Sequence, residues 1–120
     1  MDWVAEFFKD ADKKEINALA AWFAETITAR FGNGPTIEGK SAVVEAFGQF
    51  FSSIKGMRHV RERVTVDGDS ACNEAIVTYT TLDDRDVSVP VASSLHRTAD
   101  GKLDRLFIFI DLAPVFAPAS

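Results

Sequence analysis

Cysteine is almost absent from this sequence, which excludes one common way of stabilising a small protein. Cys72 is the only cysteine among 120 residues, so no disulfide can form within the chain. A domain that folds without disulfides suits a reducing compartment. Residues 1–6 have neither a basic start nor a long apolar run, and they do not predict a signal peptide. We therefore expect a cytoplasmic protein.

Long apolar runs and an excess of basic charge are also missing. No apolar run approaches the roughly 20 residues that a membrane-spanning helix needs. The formal net charge is −5, whereas nucleic acids and anionic membranes bind basic surfaces. The sequence therefore predicts neither nucleic acid nor a membrane as a partner.

Residue patterns that hold metals or nucleotides are scarce. His59 and His96 are the only histidines, and with one cysteine they leave no convincing metal-ligand spacing. Residues 34–41 formally match the phosphate-binding pattern G-x-x-x-x-G-K-[ST]. However, Pro35 has no N–H to donate, and the Glu38 carboxylate would repel phosphate. We expect no metal, nucleotide or other cofactor.

Phenylalanine is abundant, and it favours an apolar interior. The chain has ten phenylalanines and two tryptophans but one tyrosine, a set that suits a core or an apolar cavity better than a polar binding surface. A hydrophobic fraction of 47% is typical of a globular protein that buries a core. The length fits one domain, which we expect to span residues 1–120.

The first half of the chain has mainly helical periodicity. A first helix is predicted around residues 3–8, and a second after an apparent capping box at residues 12–15. Alternating apolar residues over 27–31 predict a strand, and a third helix is predicted from residues 39–41 to about residue 54. The apolar stripe of the second helix would be formed by Ile16, Leu19, Ala20 and Phe23.

The second half predicts four strands and no further helix. The strand-like runs are residues 57–66, 71–81, 87–97 and 103–112. Short turns at Asp67-Gly68 and Asp100-Gly101 join them, so an antiparallel meander is expected. Pro90 falls inside the third run and suits an edge position or a bulge. Helices followed by strands predict an α+β fold with helices on one face of a curved antiparallel sheet.

Four segments of the chain carry a family resemblance: residues 31–40, 56–60, 87–91 and 100–116, the last closing with Ile110-Asp111-Leu112-Ala113-Pro114. Their order and spacing resemble the SnoaL-like proteins of the nuclear transport factor 2-like superfamily over nearly the whole chain. The resemblance implies a conical barrel of a curved antiparallel sheet on about three helices, usually paired into a homodimer through the sheet. Members include polyketide cyclases, steroid isomerases and epoxide hydrolases, so the fold alone does not decide the function.

Asp111 and His59 are the candidate catalytic residues. Asp111 ends an apolar strand at a position similar to the acid/base aspartate of SnoaL-type cyclases, and a carboxylate in an apolar cavity can exchange protons near neutral pH. His59 lies where the family often has a histidine, and it would donate a hydrogen bond to a developing oxyanion. The alternatives are that Asp111 pairs with an arginine or accepts backbone N–H groups, and that His59 is structural.

Strand alternation decides whether these two residues meet, because each strand exposes alternate residues on one face. If both candidate faces point inward, His59 and Asp111 share one cavity. Both faces of the last strand are apolar, so the sequence leaves the question open. The two candidate faces consist of Met57, His59, Arg61 and Arg63, and of Arg105, Phe107, Phe109 and Asp111.

The residues that carry catalysis in two relatives have no counterpart here. The steroid isomerases use an early tyrosine as oxyanion donor, whereas Tyr79 is the only tyrosine and lies in the middle of the predicted sheet. Epoxide hydrolases of this fold use an Asp–Arg–Asp set, and Arg85 and Asp86 have the wrong spacing for it.

We therefore expect a pocket for a small, mainly apolar molecule. The leading interpretation is a cofactor-independent isomerase, cyclase or hydratase that works by acid–base chemistry. The alternative is a non-catalytic ligand-binding or dimerisation module, which a cavity filled by phenylalanine side chains would favour. The expected pocket lining is Trp22, Phe47, Phe51, Tyr79, Phe107 and Phe109.

Overall fold

The computed structural model describes residues 2–117, in which helices pack on one face of a six-stranded sheet. The sheet order is β2-β1-β6-β5-β4-β3, and β3 to β6 form the predicted antiparallel meander. The α+β prediction is thus confirmed. The elements are α1 (Trp3–Asp12), α2 (Ile16–Ala20), β1 (Phe23–Phe31), β2 (Ile37–Glu38), α3 (Lys40–Ser52), β3 (Ile54–Asp67), β4 (Ser70–Thr81), β5 (Asp86–Arg97), β6 (Leu103–Ile110) and α4 (Ala113–Phe116).

The start of the second helix differs from the prediction. The capping box at residues 12–15 is wrong, because Asp12 is the last residue of α1 and its carboxylate contacts β3 instead. Glu15 is the N-cap of α2, and in the described part of the chain its side chain makes no capping hydrogen bond. Phe23 begins β1 rather than continuing α2. The expectation of no helix after Met57 is also wrong, since α4 follows β6.

A parallel pairing between β1 and β6, which no local pattern predicted, completes the sheet. Gly32 ends β1 with a positive φ of 54°, and its N–H donates to the carbonyl of Ile108 at 2.8 Å. A Cβ atom at Gly32 would lie 2.8 Å from the carbonyl oxygen of Ile110. The approach of the two strands therefore requires glycine at this position.

The two faces of the sheet have different surroundings. The inner face carries the core: Ala75, Val77 and Tyr79 of β4 and Leu106 of β6 are buried there. Helices α1 to α3 cover this face, and within residues 2–117 no helix packs on the opposite, outer face. None of the described helices has the length and apolar character needed to cross a membrane.

A bulge in β3 and a short edge of β5 explain where Arg63 and Pro90 lie in the sheet. A bulge between Arg61 and Arg63 shifts the register of β3, so Arg63 pairs with outward-facing Glu74 and does not share the face of His59. Pro90 lies just beyond the last β5–β6 pair, Val91 with Ile110. β5 is therefore flanked by one strand only at Pro90, which is the predicted edge position for a residue without an N–H.

Truncation of a buried side chain should lower the free energy of unfolding more than truncation of an exposed one. Leu103 is 0% exposed and Leu82 is 58% exposed. Leu103→Ala is expected to lower the free energy of unfolding by about 2–5 kcal/mol, because it removes buried methyl groups and leaves a cavity. Leu82→Ala, the matched exposed control, should change it by less than about 0.5 kcal/mol. Urea unfolding measures both, and equal losses would contradict this arrangement of the core.

Candidate active site

A small apolar cavity lies between the inner face of the sheet and helices α1 and α3. Its volume is about 30 Å³, which leaves room for one or two water molecules. Phenyl rings fill most of the space between helices and sheet, and the ring centroids of Phe31 and Phe47 are 4.6 Å apart. The lining residues are Phe7, Phe8, Ala11, Leu19, Phe31, Phe47, Phe50, Phe51, Met57, His59, Tyr79, Ser93, Leu106 and Ile108.

The carboxylate of Asp12 holds His59 in the wall of this cavity. Oδ2 accepts the backbone N–H of His59 at 2.9 Å, and Oδ1 lies 2.6 Å from Nδ1 of the ring. A carboxylate can only accept, so the proton between them belongs to Nδ1 and Nε2 is the nitrogen left for a bound molecule. The ring of Phe8 packs on the imidazole with centroids 4.8 Å apart. Carboxylate and phenyl together fix the orientation of His59.

Asp12 contacts His59, and the sequence analysis did not identify it as a site residue. Asp12 follows Phe8 by four residues and Ala11 by one, so it lies at the edge of the apolar face of α1. An acid at such a position differs from an acid on the exposed face of the same helix. The position of Asp12 beside apolar residues was therefore the signal that could have identified it from the sequence. The neighbouring Glu15 made Asp12 look like the start of the next helix instead.

Tyr79 brings a protonated hydroxyl to the same cavity. Its β4 position pairs with Met57, two residues from His59 on the inner face. Burial raises the pKa of the Tyr79 hydroxyl well above its ordinary value, and the negative charge of Asp12 raises the pKa further. Tyr79 therefore remains a hydrogen-bond donor throughout the physiological pH range.

Four of the eight predicted site residues line the cavity: His59, Phe47, Phe51 and Tyr79. Trp22 does not, because its Nε1 donates to Asp10 at 2.9 Å near the end of α1. Asp111 is also outside the cavity. It is exposed, and its carboxylate accepts the N–H of Ala113 at 3.0 Å, as expected for an acid at the end of a strand.

Phe107 and Phe109 lie on the outer face, which corrects their predicted place in the pocket. Leu106 of β6 pairs with Ala29 and Leu95, which are both buried, so Leu106 points inward. Its neighbour Phe107, and Phe109 two residues further on, therefore point outward. The guanidinium of Arg30 lies 5.2 Å and 5.4 Å from the two phenyl centroids. His59 and Asp111 therefore lie on opposite faces of the sheet.

A second hollow, which we call the polar cleft, adjoins the cavity. It has a volume of about 250 Å³, and it shares Phe8 and His59 with the apolar cavity. The two side chains thus form the partition between an apolar space and a polar one. The cleft is lined by Ala5, Phe8, Lys9, Asp12, His59, Arg61 and Asn73.

A second His–Asp pair lies elsewhere on the molecule. His96 Nδ1 is 2.6 Å from Asp104 Oδ1, the same distance as in the Asp12–His59 pair. However, the His96 side chain is 42% exposed, against 11% for His59, and His96 does not line the cavity. In residues 2–117 no three histidine, cysteine, aspartate or glutamate side chains are placed to hold a metal ion.

Tyr79 offers a direct test of the cavity, since it is the only tyrosine. Unfolded chains deprotonate tyrosine at about pH 10, whereas the folded protein should show no phenolate absorbance at about pH 11. Below pH 10 Tyr79 is protonated in both states, so it does not change the free energy of unfolding. Above pH 10 the unfolded chain has lost the Tyr79 proton and the folded protein has not. The free energy of unfolding therefore decreases as the pH rises toward the pKa of Tyr79 in the folded protein. The same titration in concentrated urea is the control. A native phenolate signal near pH 10 would show that the hydroxyl is not buried.

Comparison with known proteins supports the fold. The SnoaL-like domain model matches residues 4–106. The structure is similar to a protein of ketosteroid isomerase-like fold from Catenulispora acidiphila DSM 44928, crystallised with trimethylamine, with a TM-score of 0.83 and 19% identity over 97% of this chain and 90% of that one. No curated protein sequence matches the chain significantly.

Two further solved structures are similar over most of their length. A protein from Jannaschia sp. CCS1, described as a SnoaL-like polyketide cyclase, has a TM-score of 0.81 and 20% identity over 98% of this chain and 92% of that one. An LEH-like epoxide hydrolase from M. tuberculosis has a TM-score of 0.78 and 14% identity over 95% and 84%. At these identities the similarities show the fold and not the activity. Because the family model covers most of the chain, the protein belongs to the SnoaL-like family.

Proposed function

We propose that the protein is an acid–base enzyme that acts on a small molecule with an apolar body and one carbonyl or hydroxyl group. The observation that carries the proposal is the Asp12–His59 pair, whose ring lies in the wall of an apolar cavity. His59 has the proton-transfer role that the sequence analysis gave to Asp111. The reaction class is an isomerisation, cyclisation or hydration, without a cofactor.

The chemistry follows from the three polar groups. His59 Nε2 takes a proton from the carbon next to a carbonyl, or from a hydroxyl, and the Asp12 carboxylate stabilises the imidazolium that forms. The Tyr79 hydroxyl donates a hydrogen bond to the oxygen on which negative charge develops. Apolar surroundings strengthen these interactions because they exclude water.

The cavity is so small that side chains lining it must move before a substrate can enter. A space of about 30 Å³ is too small for a ligand larger than a few atoms. The Phe8 ring separates this space from the polar cleft, so its rotation would join the two. The complex of one structural neighbour with trimethylamine is consistent with small ligands in this fold.

The proposed role of His59 is tested by deuterium exchange into ketones. Butanone, cyclohexanone and acetophenone are incubated with the protein in heavy water, and loss of the protons next to the carbonyl is followed by NMR. We expect exchange catalysed by the wild type. His59→Asn should lower it by about 10²–10⁴-fold, because it removes the general base, and Asp12→Asn should lower it because the ring loses its orienting partner.

His96→Asn is the matched control, since it disrupts a His–Asp pair of equal length outside the cavity. It should leave exchange unchanged. Thermal unfolding of each variant checks that the fold is intact. If His59→Asn exchanges as fast as the wild type, or if no ketone is exchanged or bound, the proposal is wrong.

A second candidate function is a non-catalytic dimerisation module, and the filled cavity favours it. The outer face of the sheet carries an uncovered apolar patch, in which Phe109 is 47% exposed. Exposed patches of this kind on soluble proteins mark interaction sites. The patch consists of Val60, Ile76, Pro90, Ala92, Phe107 and Phe109.

We infer that this outer patch joins two copies of the chain into a homodimer, in either function. Arg30 and Arg105 lie beside its phenylalanines, and Glu62, Glu74 and Asp111 line the adjoining hollow, where Arg63 pairs with Glu74. A two-fold axis that passes through the patch parallel to the strands would bring Arg30 and Arg105 of one copy toward the β3–β4 side of its partner.

The homodimer is tested by a charge placed in the patch. Phe109→Asp should convert a dimer into a monomer, because it places an unpaired carboxylate in the interface. Leu82→Asp, at an exposed residue beyond the end of β4, is the control and should leave the mass unchanged. Light scattering after gel filtration measures the mass. A monomeric wild type at micromolar concentration would contradict the inference.

A further inference from the structure

Arg61 in the polar cleft is built to hold a carboxylate. Its Nε donates to Oδ1 of Asn73 at 3.0 Å, and Asn73 is 2% exposed on the inner face of β4. This buried amide fixes the plane of the guanidinium. The two terminal nitrogens then face one carboxylate, that of Asp2, at 2.6 Å and 3.3 Å. Two-point contacts of this kind are specific for carboxylate and phosphate groups.

The carboxylate now on Arg61 belongs to the half-exposed N-cap residue of α1. The Asp2 side chain is 49% exposed, and exposed ion pairs contribute little to stability. The hydrogen bond from Arg61, followed by that from the N–H of Ala5, lowers the pKa of Asp2 to about 2. Arg61 therefore stabilises a charged carboxylate at this point, and a ligand carboxylate would find the same partner.

The position of Arg61 relates this contact to the proposed reaction. Arg61 and His59 lie two residues apart on the inner face of β3, but their side chains reach opposite ends of α1. The Arg61 guanidinium contacts Asp2 at the N-cap and the His59 ring contacts Asp12 at the last residue. These two ends of the helix are about 15 Å apart. Both line the polar cleft, and Lys9 adds a second positive charge there. A molecule whose carboxylate binds Arg61 would need a chain of roughly 10 Å to bring a second group beside His59, with apolar atoms along Phe8 and the cavity.

We infer that the substrate of the proposed acid–base site is a small acid, and that Asp2 occupies the subsite for its carboxylate when no substrate is bound. The inference rests on the proposed function, because it uses the same His59. Arg61 is a substrate-binding residue in this arrangement. The substrate class is an acid with an apolar chain or ring and a carbonyl or hydroxyl roughly 10 Å from the carboxylate.

Matched acids and amides test the inference by calorimetry. The probes are hexanoate and 3-phenylpropanoate, compared with hexanamide and 3-phenylpropanamide. The wild type should bind each acid more tightly than its amide. Arg61→Gln should weaken acid binding by about tenfold or more, since it removes hydrogen bonds to a charged group, without changing the affinity for the amide. Arg61→Lys keeps the charge but loses the two-point contact, and acid binding should again weaken.

Asp2→Asn is the decisive variant. Asparagine caps helices as well as aspartate does, so α1 should remain intact while the competing charge is removed. Acid binding should become several-fold tighter and amide binding should not change. The inference is overturned if acids and amides bind equally, if Asp2→Asn leaves acid binding unchanged, or if no acid binds. Ketone exchange that depends on His59 would still support the proposed function in each of these cases, and its absence would end both proposals.

Discussion

The Asp12 carboxylate joins the end of α1 to the backbone and to the ring of His59, and the geometry of the site depends on this contact. It leaves Nε2 as the imidazole nitrogen without this partner, and it joins α1 to β3 where Phe8 packs on the ring. The cavity and the polar cleft meet at these two side chains. A single acid at a helix end therefore determines the position of His59 and of the partition beside it.

Because the helices cover only one face of the sheet, two similar His–Asp pairs differ in their exposure to water. Asp12–His59 and Asp104–His96 have the same Nδ1–Oδ1 distance. The first pair lies under α1 beside an apolar space, and the ring of the second pair is more exposed, 42% against 11%. Of the two rings, only that of His59 lines the cavity. The same asymmetry leaves the outer face, with its phenylalanines between arginines, free for a second copy.

The sequence predicted the parts of the fold that depend on local patterns. The hairpin turns at Asp67-Gly68 and Asp100-Gly101 placed the meander correctly, and the helical spacing of Trp3 and Phe7 placed α1. The parallel β1–β6 pair joins segments far apart in the chain, so no local signal predicts it.

The site was predicted less completely, for two physical reasons. Both faces of β6 are apolar, so alternation could not show that Phe107 and Phe109 point outward while Leu106 points inward. Asp12 is the last residue of α1 and α2 follows after three residues, so in the sequence an acid that ends one helix resembles an acid that caps the next. His59 was identified because histidine is rare here, and its partner was missed because aspartate is common.

Nitrogen-15 NMR of the two histidines tests the central claim most directly. If Asp12 orients His59 as the structure shows, Nδ1 of His59 keeps its proton across the whole pH titration, and Nε2 is the nitrogen that loses one. In Asp12→Asn this preference should disappear, while the spectrum of His96 stays the same. A wild-type His59 that deprotonates at Nδ1, or that behaves identically in Asp12→Asn, would show that the carboxylate does not position the ring.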